Sequence, residues 1–177
     1  MPPPGKALIV DIDGVVSPVH GRTAWGDDVT AGNVFGPVLV SPGLCARLDD
    51  LAQTPGLSCW WLTSWSVKMR AAMRPFPGRG WPVVADPAHA PRAGRTWWKL
   101  AALEIWLDQH AEVLALAWCD DDLRGGRPAA VRRWLAARGI ESLLLTPRTS
   151  RGLTPEHLDT LEAWARDPRP PRPPRRT

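Results

Sequence analysis

The chain has 177 residues, 44% hydrophobic and 23% charged, which is the size and make-up of one soluble globular domain. No apolar run approaches the roughly 18 residues of a membrane-spanning helix, and MPPPGKALIV lacks the long apolar core of a secretory signal, so a membrane protein is excluded and a cytoplasmic one expected. The net charge of +4 is confined to residues 166–177, which hold five arginines and one aspartate, so the rest of the chain is formally neutral and does not read as a nucleic-acid-binding surface.

In chain order, Ala7–Val10 is a short apolar run that predicts a buried strand ending in DIDG. Residues 14–43, with six glycines and three prolines, read as a long loop or short hairpin excursion. Apolar positions 44, 48, 51 and 52 predict a helix over Leu44–Thr54, stopped by Pro55-Gly56. Leu57–Thr63 (LSCWWLT) is a second strand and Ser66–Met73 a helix running into the breaker RPFPGRGWP. Pro82–Ala85 predicts a short third strand, and Thr96–Gln109 a helix capped by Thr96. Val113–Trp118 is a continuous apolar strand followed by Cys119 and three aspartates. A helix over Arg127–Arg138, a fifth strand over Glu141–Leu145 and a last helix over Thr154–Arg166 complete the pattern.

Strands alternating with helices predict an α/β fold: a three-layer, doubly wound, Rossmann-like domain with a parallel five-stranded sheet. A single domain is expected over 1–166. The proline- and arginine-rich residues 167–177 form a disordered or polyproline II tail. Cys45, Cys59 and Cys119 lack metal-site spacing and are an odd number, so they read as buried small hydrophobes. Only three lysines stand against 19 arginines, which singles out each lysine.

Ligands of an open parallel sheet bind beyond the carboxyl ends of its strands. Here strand one ends in Asp11 and Asp13, strand two in Thr63 and Ser64, and the fourth in Asp120, Asp121 and Asp122. Carboxylates gathered in one crevice repel unless a cation joins them, and all-oxygen ligands suit magnesium. Asp11 and Asp13 stand two apart, so they share a face if the strand continues, and one carboxylate can attack phosphorus while the other handles protons. Alone, DxDG equally suits a turn whose aspartates cap backbone amides.

Taken together, LIVDIDG, CWWLTS, TWWKL and LAWCDDD, in that order, resemble the four motifs of the haloacid dehalogenase (HAD) superfamily of phosphohydrolases, over residues 6 to about 146. WLTSW, WCDDDL and GLTPEHLDTLEAWA are similar to a small group of HAD-domain proteins related to domains of bacterial RNA-repair proteins.

The resemblance implies a magnesium-dependent phosphatase. Asp11 is then the nucleophile that forms an aspartyl-phosphate, and Asp13 the general acid and later the base. Magnesium is held by Asp11, by the backbone carbonyl of Asp13, and by Asp120 with Asp121, the pair 121/122 being the alternative. Thr63 and Lys99 contact the phosphate; Ser64 and Trp65 line its pocket or a substrate wall. Forty-nine residues separate Asp13 from Thr63, and 35 separate Thr63 from Lys99. Neither gap holds a full cap domain, so the site is open to a phosphorylated substrate of macromolecular size.

Two other readings stay open. One is a nucleic-acid end-processing phosphatase, supported by the tail and by Arg22, Arg92, Arg95 and Arg124, with Trp25 and Trp65 as candidate stacking surfaces. The other is a non-catalytic HAD-fold binding module whose Pro/Arg tail recruits a partner protein.

Overall fold

A computed structural model describes residues 5–89 and 97–167 of the chain. The proposed cap Thr96, Arg92, Arg95 and all of the tail beyond Asp167 lie outside the described residues. β1 (Lys6–Val10), β4 (Leu57–Trp61), β5 (Ala115–Cys119) and β6 (Glu141–Leu145) form one parallel sheet in the order β4-β1-β5-β6. A separate antiparallel hairpin pairs β2 (Val29–Asn33) with β3 (Pro37–Val40), which makes the 14–43 segment a hairpin excursion.

The parallel sheet has four strands where five were expected. Residues 82–85 contribute one isolated bridge, Trp61 to Val83, with the Trp61 amide donating to the Pro82 carbonyl and the Val84 amide to the Trp61 carbonyl. Pro82 has no amide proton for a ladder, and the glycines and prolines ahead of it do not sustain an extended run.

Successive residues of β1 alternate between two apolar clusters, as a strand buried on both faces requires. Leu8 and Val10 join Leu44, Leu48 and Leu51 of α1 (Pro42–Leu51) with Leu158 and Leu161 of α5 (Pro155–Arg166). Ala7 and Ile9 join Leu103 and Trp106 of α3 (Trp98–Gln109) with Val131 and Leu135 of α4 (Arg127–Ala137). The short α2 (Val67–Ala72) follows β4. Ser41 and Thr154 each accept a backbone amide three residues on, and prolines at the first turns of α1 and α5 sharpen those helix starts.

Between Asp13 and β4 lie only the hairpin and α1, and between Thr63 and Lys99 the described residues hold α2 alone. All three cysteines are free and buried, and burial pushes the Cys45 and Cys59 thiols up to about 12. Among the described residues no helix is long and apolar enough to cross a membrane.

Candidate functional site

The strand order explains why residues far apart in sequence meet. Val10, the last residue of β1, lies beside both Trp61 and Cys119. The ladder continues one step further, as the Asp11 amide donates to the Cys119 carbonyl and the Leu62 amide to the Val10 carbonyl. Asp11, Thr63 and Asp120 therefore emerge together at the carboxyl edge of three neighbouring strands.

Asp11, Asp120 and Asp121 are all buried, and one carboxylate oxygen from each lies within 4.8 Å of the others. Lys99, in the first turn of α3 and only 6% exposed, reaches into this trio. Its Nζ donates to Asp11 Oδ2 at 2.5 Å and to Asp120 Oδ2 at 2.8 Å. The other oxygens are held by the backbone: Asp11 Oδ1 accepts from the Ile12 amide at 2.7 Å, and Asp120 Oδ1 from the Asp122 amide at 2.8 Å. Asp121 Oδ2 accepts from Thr149 Oγ1 at 2.6 Å and from Arg124 Nη2 at 2.9 Å.

Three acids share this crevice with one buried base. Burial, opposed by Lys99 and reinforced by Asp120, pushes the Asp11 carboxyl up to about 7. Burial likewise raises Asp120 against the pull of Lys99. Burial alone would lower Lys99, but Asp11 and Asp120 outweigh it and raise its pKa. Lys99 and Arg124 bring two positive charges to three carboxylates, and the oxygen-only donor set fits a hard divalent cation such as magnesium.

Asp13 stands apart from the trio. The extended run ends at β1, and the Ile12 carbonyl accepts the amides of Val15, Val16 and Ser17 in a tight turn. Asp13 is consequently exposed, and its Oδ2 accepts from the Trp65 indole Nε1 at 2.9 Å. The strand does not continue through Asp13, so the condition for a face shared by period two is not met. Gly14 makes the turn possible: its φ is +69°, and a Cβ there would overlap the Asp121 carboxylate.

Thr63 is buried, its Oγ1 accepting the Trp65 amide at 3.3 Å, while Ser64 is exposed beside it. Asp122 is exposed and contributes its amide, not its carboxylate, to the cluster. Both tryptophans singled out for stacking are engaged by neighbours. Trp65 is 5% exposed and stacked on Phe76 with ring centroids 6.1 Å apart. Trp25 donates its indole proton to the Leu153 carbonyl at 2.8 Å and lies under Arg47. Arg22 pairs with Asp28, and Arg124 is engaged with Asp121 and Thr149.

Sequence reasoning missed Thr149 and Phe35. Thr149 lies in a TPRTS loop with no motif, so nothing local announces its bond to Asp121. Phe35, one of only two phenylalanines, sits at the hairpin tip next to Gly36-Pro37 and is fully exposed; an aromatic residue at a turn was its one available signal.

A comparison with curated proteins gives no match, and neither does one with solved structures. A family model described as "HAD domain in Swiss Army Knife RNA repair proteins" matches residues 7–158, a span that contains every residue of the site just described. The chain belongs to this family of HAD domains.

Proposed function

We propose that the chain is a magnesium-dependent phosphatase that works through an aspartyl-phosphate on Asp11. The observation that carries this reading is the buried Asp11–Asp120–Asp121 trio, with Lys99 bridging Asp11 and Asp120. The trio, with the backbone carbonyl of Asp13, would hold the magnesium. When bound, the ion supplies positive charge that screens an anionic nucleophile from an anionic phosphate.

A carboxylate oxygen of Asp11 attacks phosphorus as the bond to the ester oxygen breaks, and Asp13 gives its proton to that leaving oxygen. Asp13, now a carboxylate, takes a proton from water. The water oxygen attacks the same phosphorus, the bond to Asp11 breaks, and inorganic phosphate leaves with both carboxyl groups restored. Lys99 holds Asp11 in place and offsets charge on the phosphoryl group, while the Thr63 hydroxyl donates to a phosphoryl oxygen and Ser64 borders the same site.

The family's association with RNA repair proteins favours phosphorylated polynucleotide ends as substrates, and the absence of a large insertion between the motifs leaves room for one.

The test is phosphate release from an aryl phosphate with and without magnesium, comparing the parent with Asp11→Asn. Metal-dependent release that vanishes in the variant is expected. Oligonucleotides carrying 3'- or 5'-phosphates then test the substrate class, and absence of release from every ester favours the binding-module reading.

A further inference from the structure

Beyond Asp13 the structure opens into a groove of about 820 Å³ between the turn after β1, the β2–β3 hairpin and the start of α2. This is within the usual size range of a small-molecule site. Asp13, Ser64 and Trp65 border its inner end, and Val19, Val38 and Phe35 form apolar walls. Among the described residues no lysine or arginine lines it, Asp13 is its one carboxylate, and His20 lines it as well.

The hairpin is fixed at its base and presents its tip. Ala31, Val38 and Val40 are buried in the core, and the Ala31 carbonyl accepts the Arg74 amide at 2.9 Å. At the tip the Val34 amide donates to the Gly36 carbonyl, and Asn33 Oδ1 accepts the Gly36 amide at 3.2 Å. Phe35 lies between these bonds and is 100% exposed. An aromatic ring is thus carried on a braced turn at the mouth of a groove whose inner end is the proton donor of the proposed reaction.

We propose that this groove binds the leaving alcohol of the phosphate ester and that the alcohol is a nucleoside. This rests on the phosphatase reading. The position of Asp13 places the ester oxygen at the inner end, so whatever is esterified extends outward along the groove. The walls suit an uncharged ring system, and Phe35 provides a π-face for a base to stack on, a contact that tolerates any base. Ser17 and Ser64 line the groove, residue types that suit the polar edges of a sugar. With no lysine or arginine among its described lining residues, the groove offers little charge to alcohols that carry further phosphates within it. A free nucleoside monophosphate and the terminal residue of a strand share this chemistry.

Two measurements on the full chain test the proposal. The first is saturation-transfer NMR of adenosine against Asp11→Asn protein, which needs no turnover. Transfer is expected, and it should drop when Phe35→Ala is added and return with Phe35→Trp. Absence of transfer, or transfer indifferent to position 35, overturns the groove assignment. The second is steady-state kinetics with magnesium on adenosine 5'-monophosphate, a 5'-phosphorylated oligonucleotide and glycerol 2-phosphate. The nucleoside esters should exceed glycerol phosphate in kcat/KM by about tenfold, as loss or gain of one stacked base implies. Phe35→Ala should shrink that ratio through KM. Equal turnover of all three esters overturns the proposal. Preference for the mononucleotide or for the oligonucleotide distinguishes the two sources. Adenosine transfer without turnover of any ester supports the groove and overturns the phosphatase reading instead.

Discussion

The indole Nε1 of Trp65 donates to Asp13 Oδ2 at 2.9 Å, tying the residue two positions after the motif threonine to the proposed proton donor. Trp65 is itself held on three sides: its amide by Thr63 Oγ1, its carbonyl by Arg70 Nη1 at 2.5 Å, and its ring by Phe76. Trp65 is therefore a positioning residue for Asp13. Trp65→Phe keeps the ring and deletes the proton. Turnover of alkyl phosphates, whose leaving oxygen needs a proton, should fall by about tenfold, the scale of one lost hydrogen bond to a charged group. Nitrophenyl phosphate, a better leaving group, should lose much less. Equal losses on both esters would show a role unrelated to proton transfer.

Lys99 is the only buried cation among the described residues at the acidic trio. Lys99→Met leaves its acids uncompensated and should destabilise the metal-free protein by about 3–5 kcal/mol, the usual cost of breaking a buried pair from one side. Magnesium should raise the thermal midpoint of the parent and raise that of the variant further, because bound charge replaces the missing ammonium. Thermal melts with and without the ion read both effects.

Gly14 combines a φ of +69° with contact against the Asp121 carboxylate. Gly14→Ala forces one of the two to move. Magnesium affinity, measured by titration calorimetry, should weaken by roughly 10- to 100-fold, the range seen when support of a metal ligand is disturbed.

The start of α5 carries a pH-sensitive cap. His157 Nδ1 accepts the Thr154 amide at 3.1 Å, while the His157 amide donates to Thr154 Oγ1 at 3.3 Å. Burial lowers the His157 pKa below its ordinary 6.5, and a proton on Nδ1 removes the acceptor. Because the folded pKa lies below the unfolded one, this stabilisation is complete above pH 6.5 and is lost as pH falls through the folded value. Asp11, raised to about 7, acts in the opposite sense, so the readout is a difference. The urea midpoint of the parent relative to His157→Gln should fall between pH 7.5 and pH 5.

The polar ends of the apolar strands were legible locally. A run such as LIVDID or LAWCDD states both that a strand is buried and where it stops being so. Lys99 stood out because lysine is rare in this chain. The third strand failed because Pro82–Ala85 is apolar enough for a strand but lacks the amide that a ladder needs at its first residue. For Asp11 and Asp13, period-two reasoning holds only while the chain stays extended, and the Ile12 carbonyl turns it at once.

Sequence by itself determined which residues are chemically equipped and which strand each one ends, since burial pattern and residue type are local properties. Tertiary structure alone decided the rest. That β1 lies between β4 and β5 brings Asp11, Thr63 and Asp120 to one edge. That α3 starts over this edge buries Lys99 among the acids, that Trp65 reaches Asp13, and that the hairpin carries Phe35 to the groove are also consequences of packing. Each depends on contacts between residues tens of positions apart, whose pairing is fixed by which faces can bury one another and leaves no periodic mark in the chain.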